Sequence, residues 1–367
     1  MIYGARVRQA REFNGFTQAK LADLVKRDQS LIAYIENNFK EPSDDLLDAI
    51  AEHTKFPVSF FARPPDVELP AGSLIFRAHA SLTRREATEA HRVAEVVFSI
   101  GIHLTNRVEA PKPSIQGRTE YSEEAARKTR LSLGLPPNTP VPRLIRTLEK
   151  AGVWVLPLPN LEGRDAFCGW APFDNYEIPV ISISTGRPGD RLRFSVAHEL
   201  AHLVMHKNLP MKGVGEIEHD ADVFASEFLM PRDEIYGDLL PPLTLTRVAR
   251  LKPKWGVSMQ ALIVRARSLD LISQRQYRYL FQQLTARGWR DAEPANLDVA
   301  VEKPRLIAKM AEVAYGGTAT KKIAAAMHLS EVSVESIFSH FAKKEDFAEE
   351  SIGLDRKIVK FPTKHSH

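Results

Sequence analysis

The sequence predicts a multidomain α+β protein in which a small mixed α/β centre lies between helical segments. Three observations carry that reading. Residues 1–62 show helical periodicity alone, residues 121–231 mix helix-like with strand-like runs, and the chain beyond Pro242 is helical again. At 367 residues the chain is too long for one small core. One cysteine, Cys168, excludes an internal disulfide framework and fits a reducing compartment. The opening "MIYGARVRQAREFNGF" has arginines and no apolar run, unlike a secretory signal, and no stretch approaches a membrane span. A cytoplasmic location without a membrane partner is the expectation.

The elements follow in order. Apolar positions recur at Val7, Ala10 and Phe13, at Leu21, Leu24 and Val25, at Leu31, Ile32 and Ile35, and at Leu46, Leu47 and Ile50. Thr17 and Asp28 stand where N-caps belong, and Pro42–Ser43 opens a further helix. The proline-rich "FARPPDVELPAG" reads as a linker, residues 83–108 as one long helix, and "EAPKPSIQGR" as a second linker. "EEAARKTRLSLG" and "PRLIRTLEKAG" are amphipathic helices, whereas "VWVLPL" and "PVISIS" are strand-like. The expected domains are 1–66, a linker with a long helix at 67–116, 117–240, a basic helical extension at 241–297, and a helical module at 298–367. No internal repeat is visible in the sequence.

The stretch "RFSVAHELAHLVMH" sets His198, Glu199 and His202 in the spacing H-E-x-x-H. Residues four apart share a helix face, so both imidazoles can converge on one ion. Zinc suits them, because it binds neutral imidazole and brings the pKa of water towards neutrality. Glu199 sits where a carboxylate can take a proton from the attacking water. A third ligand in the extended pattern H-E-x-x-H-x-x-G-x-x-H would need Gly at 205 and His at 208, and those positions hold Met205 and Asn208. The following "EHDADVFASEFLMP" offers Glu218. It is preferred over His219 and Asp220 because Asp222, one turn later, can accept a hydrogen bond from a ligand histidine. His206 lies eight residues from His198, well off that face, and reads as a helix-end histidine.

"RFSVAHELAHLVMH" followed by "IEHDADVFASEFLMP" resembles the ImmA/IrrE metallopeptidases, whose members cleave helix-turn-helix repressors. The resemblance spans about Tyr121 to Pro231 and extends through "LKPKWGVSMQALIVRARSLDLISQRQYRYLFQQLTARGWRDAEP", as in long members fused to a DNA-binding domain. It implies a zincin-like α+β domain with His198, His202 and Glu218 on zinc and Glu199 as general base. The family's transition-state stabiliser has no matching motif, and His219 and Tyr176 are candidates only.

Residues 4–61 resemble the Xre/Cro-type helix-turn-helix. "QSLIAYIENN" would then be the helix entering the major groove, with Gln29 and Ser30 at bases, Ala33 and Asn37 further along, and Gln18 fixing the backbone contact. Arg6, Arg8, Arg11, Lys20, Lys26 and Arg27 could form a basic edge, although residues 1–66 balance at −1. Later in the chain, residues 198–240 balance at −6 and residues 241–290 at +9. The basic tract keeps single-stranded nucleic acid in play as a ligand, with Trp255, Tyr277, Tyr279 and Trp289 as stacking platforms. "TKKIAAAMHLSEVSVESIFSHF" has a helix-turn-helix cadence that a dimerisation module explains equally well, and a homodimer is the expected assembly. Finally, Cys168 on a strand ahead of "PVISIS" could occupy the open position of a catalytic zinc and act as a switch. "PVISIS" itself could offer its edge to an extended peptide.

Overall fold

The periodic runs at the amino end become α1 (Gly4–Phe13), α2 (Gln18–Leu24), α3 (Gln29–Glu36), α4 (Asp44–Thr54) and α5 (Val58–Phe61), followed by α6 (Arg84–Thr105). The computed structural model describes residues 1–65, 69, 83–118, 120–137, 139–159, 166–207 and 213–343. Part of the "FARPPDVELPAG" linker and the end of the carboxyl-terminal module lie outside those residues. Thr17 caps α2 by accepting from the Lys20 amide at 3.0 Å. Thr83 and Glu86 close the start of α6 with a capping box.

The centre of the chain holds α7 (Ser122–Ser132), α8 (Leu144–Lys150), β1 (Trp154–Leu158), β2 (Phe167–Phe173), β3 (Tyr176–Ser184), α9 (Gly189–Met205) and α10 (Val214–Leu229). Next come α11 (Arg232–Leu239), α12 (Leu245–Trp255), α13 (Met259–Ser268) and α14 (Gln274–Ala286). The carboxyl-terminal helices are α15 (Leu306–Tyr315), α16 (Ala319–Met327) and α17 (Glu331–Ser339). These elements sort into two compact units that ignore chain order. One holds α1–α6 together with α15–α17; the other holds α7, α8, β2, β3 and α9–α14.

In the first unit Val7, Ala10, Leu21, Ile32 and Ile50 are fully buried, and α6 packs against both α1 and α15. Two arginines are part of this interior. Arg6 bonds Gln9 and the Pro64 carbonyl, and Arg11 pairs with the buried Glu36. The expected basic edge is therefore corrected: Arg6 and Arg11 are spent inside the domain, and Lys20, Lys26 and Arg27 are the exposed bases of that set. The N–H groups of a guanidinium can satisfy several buried acceptors at once, which a charge count does not register.

The sheet order is β1–β3–β2, and within the second unit β2 and β3 form an antiparallel hairpin that sets Cys168 opposite Ile181. This corrects the placement of "PVISIS", which is the middle strand with both edges paired; the outer edges of the sheet belong to β1 and β2. Helix α9 packs on β2 and β3 and is buried on every side from Val196 onward, as a central helix must be. Its amino end is tethered by buried ion pairs. Asp190 meets Lys252, which also holds Glu293, and Arg193 reaches Glu302 and the Gly256 carbonyl. At Gly189 a Cβ would lie 2.2 Å from the Val299 carbonyl oxygen, so only glycine lets that segment close over the helix start.

The same pairings explain the lopsided charge of the sequence. Lys252 and Arg265, from the basic tract, are buried against Asp190, Glu293 and Glu227. Trp255 is fully buried and donates to Asp238 at 2.9 Å, so it cannot serve as a stacking platform. Tyr277 and Trp289 pack against the core, while Tyr279 is exposed.

Candidate metal centre

The site is built where α9 crosses α10. From Val196 to His206 every residue of α9 and its end is buried, so His198, Glu199, His202 and His206 are polar groups held in an apolar helix. Across from them, Ala221, Phe224, Ala225 and Phe228 bury one face of α10 and leave Glu218 and Asp222, one turn apart, facing the histidines.

The Nε2 atoms of His198 and His202 lie 3.1 Å apart. Glu218 Oε2 is 3.2 Å from His198 Nε2, and its Oε1 is 3.7 Å from His202 Nε2. In a tetrahedral site with zinc–ligand distances of about 2.0–2.1 Å, neighbouring ligand atoms stand about 3.3–3.4 Å apart. The triangle brackets that spacing. Among the described residues, His198, His202 and Glu218 form a group whose candidate ligand atoms all lie within 4.8 Å of one another. Two imidazoles and one carboxylate are also the donor types zinc prefers.

Each histidine has a second partner. His198 Nδ1 is 2.9 Å from Asp222 Oδ1 and donates to it, which leaves Nε2 as the nitrogen that would turn to an ion on losing its proton. His202 Nδ1 is 2.9 Å from His206 Nδ1, and with Nε2 of His202 kept for the ion, His202 donates and His206 accepts. The helix-end reading of His206 missed this pair. Eight residues do turn His206 away from His198, but the fourth-residue spacing that matters is the one to His202.

Charge in the site is unbalanced towards carboxylate. Burial works against a charged imidazole, yet the Asp222 and Glu218 carboxylates, with Glu199 nearby, outweigh it and push His198 up to about 10. Cys168 lies at the other side of Glu199, fully buried on β2. Burial, reinforced by Glu199, pushes its thiol well above the usual range, so it stays protonated and donates to the Glu199 carboxylate. Of the remaining candidates, His219 is exposed and Tyr176 stacks edge-on with Phe173 at the hairpin end, 5.3 Å between ring centres.

In the first unit, Gln29 and Ser30 are exposed at the start of α3, Ala33 is half-buried, and Asn37 is exposed at its end. Asn37 accepts from Arg8 at 2.9 Å and donates to the Ala33 carbonyl at 2.8 Å. Gln18 donates to Glu36 Oε2 at 2.9 Å, which ties its amide to the Arg11–Glu36 pair.

Compared with known families, residues 148–267 match a model described as the IrrE N-terminal-like domain, and residues 7–61 match one described as helix-turn-helix. The chain joins an Xre-type helix-turn-helix domain to an IrrE-like peptidase-family domain. No curated protein matches it. The IrrE-like match takes in α9 and α10 with the whole metal centre and runs on through most of α13. The pairing supports a DNA-binding transcription regulator that carries a metallopeptidase-like domain. Among the described residues no helix is long and apolar enough to cross a membrane.

Proposed function

We propose that the protein is a zinc-dependent endopeptidase and transcription regulator that binds duplex DNA through residues 1–66 and cleaves a helix-turn-helix repressor, or its own chain, in response to stress, phage or DNA damage. The observation that carries this reading is the triangle of His198, His202 and Glu218 with Glu199 beside it. His198, His202 and Glu218 would hold the ion, with Asp222 and His206 fixing the two imidazole tautomers. Zinc, when bound, supplies the Lewis acidity that makes water a nucleophile near neutral pH. Glu199 would orient the attacking water and accept its proton as the new C–O bond forms, and then deliver that proton to the amide nitrogen as the C–N bond breaks. The open edge of β2, beside α9, is where an extended substrate would pair.

The test is co-incubation of the purified full chain with a panel of Xre-type repressors, alongside metal analysis. The expected result is about one zinc per chain, with fragments from wild type and none from Glu199→Gln. Glu218→Ala should lose most of the metal. Intact repressors and an intact chain despite full zinc would overturn the peptidase reading. They would leave a second one, in which the domain serves as a ligand sensor without proteolysis. That alternative is supported by the buried, protonated Cys168 thiol beside the carboxylate that should act as base.

A further inference from the structure

The carboxyl-terminal helices repeat the geometry of the amino-terminal reader at a constant shift of 302 residues. The buried positions Leu21, Ala22, Val25, Ile32 and Ile35 correspond to Ile323, Ala324, Met327, Val334 and Ile337, all buried too. In the turn, Lys26 has φ 54° and His328 has φ 53°, both left-handed. Asp28 and Ser330 stand at the two N-caps with φ/ψ of −73°/144° and −74°/143°. The same hydrogen bond closes each turn, Arg27 N–H to the Ala22 carbonyl and Leu329 N–H to the Ala324 carbonyl, both at 2.9 Å. Even α1 and α15 have matching limits under that shift, and both pack against α6.

Side chains follow the same logic. Under the shift, the reading positions Gln29, Ser30 and Ala33 become Glu331, Val332 and Glu335, and all three are exposed, Val332 at 75%. Exposed Lys321 and Lys322 precede the turn, exposed Lys303 and Lys343 flank the three helices, and residues 303–343 together carry six bases and three acids. These exposed lysines supply the positive charge that contact with a phosphate backbone needs. A carboxylate accepts from cytosine N4, and a valine methyl meets the thymine methyl.

We propose that α16 and α17 form a second helix-turn-helix, and that α17 reads duplex DNA through Glu331, Val332 and Glu335. The two readers present different side chains and so select different base sequences, on one compact unit of one chain. This site depends neither on the metal centre nor on base recognition by α3.

The experiment is selection from a pool of random 24-base-pair duplexes by the full-length protein carrying Gln29→Ala and Ser30→Ala. The expected result is enrichment of one defined base sequence over the starting pool. Adding Val332→Ala and Glu335→Ala, both on the surface, should abolish that enrichment at least tenfold. Lys321→Ala with Lys322→Ala should lower the slope of log affinity against log salt by up to about 1.8, at about 0.9 for each phosphate no longer neutralised. No enrichment by the α3-disabled chain overturns the proposal, whatever the wild type does. Enrichment that survives the α17 changes also overturns it and would assign the exposed face of α17 to another partner.

Discussion

Helices α9 and α3 carry their polar residues in opposite ways. On α9 each histidine is buried and has a partner on its far nitrogen, Asp222 for His198 and His206 for His202. On α3 the reading residues Gln29 and Ser30 are exposed at the helix start, and the interior holds only the anchor, Glu36. A buried polar group must be satisfied before any ligand arrives, so chemistry and scaffold are one network on α9. On α3 the scaffold is complete without the readers. Substitutions of the α9 histidines or of the groups that hold them should thus disturb metal and stability together, and those at Gln29 and Ser30 should change affinity alone.

The largest effect is expected at Glu199. Replacement by Gln keeps the size and the zinc but removes the base, and cleavage should fall about 10²–10⁴-fold. Metal content measured on the same sample separates this from a binding defect. Retained cleavage would place the base elsewhere.

The orienting residues should come next. Asp222→Asn and His206→Leu should each weaken zinc about 10–100-fold in chelator competition, because each releases an imidazole from its tautomer. A His206→Gln variant, which keeps an acceptor, should recover part of the loss. The electrostatics add a pH signature. Since His198 in the metal-free chain is raised from 6.5 to about 10, its charge stabilises the fold fully below 6.5 and that contribution is lost as pH rises through 10. Melting temperature of metal-free protein should fall over that window more than that of zinc-loaded protein, whose His198 is neutral throughout.

The α3 side of the comparison is tested by Gln29→Ala with Ser30→Ala. Each base interaction removed should cost about 1–3 kcal/mol of discrimination with no change in melting temperature. Uniform, salt-sensitive binding to every duplex by the wild type would deny sequence reading at α3.

What the sequence made legible follows the same division. His198, His202 and Glu218 could be grouped because helical spacing and one acidic turn are local patterns. The edge of β3 was misplaced because strand order is set by pairing across the sheet, and nothing in "PVISIS" says that β1 and β2 take both sides. Arg6, Arg11 and Lys252 looked like surface charge because their partners, such as Glu36 and Asp190, lie far along the chain. The helix-turn-helix cadence around His328 was legible, but its correspondence with Lys26 was not, since a fold repeats through burial and backbone angles while residue identities drift.

The smallest expected effect is at Cys168, and it tests how silent the α9 network is at rest. The thiol is buried, held protonated, and bonded to the group proposed as base. That differs from a thiolate on the ion, since a protonated sulfur is a poor ligand. A hydrogen bond to a charged acceptor in such a site contributes about 1.5–3 kcal/mol, part of which replacement by water restores. Cys168→Ala should therefore free Glu199 and raise basal cleavage by about fivefold, equivalent to about 1 kcal/mol in the barrier. Cys168→Ser, whose hydroxyl can make the same bond, should stay near wild type. Equal rates for wild type, Ala and Ser would make Cys168 a packing residue between β2 and α9 and no more. A rise confined to Ala would make its hydrogen bond the restraint on the base.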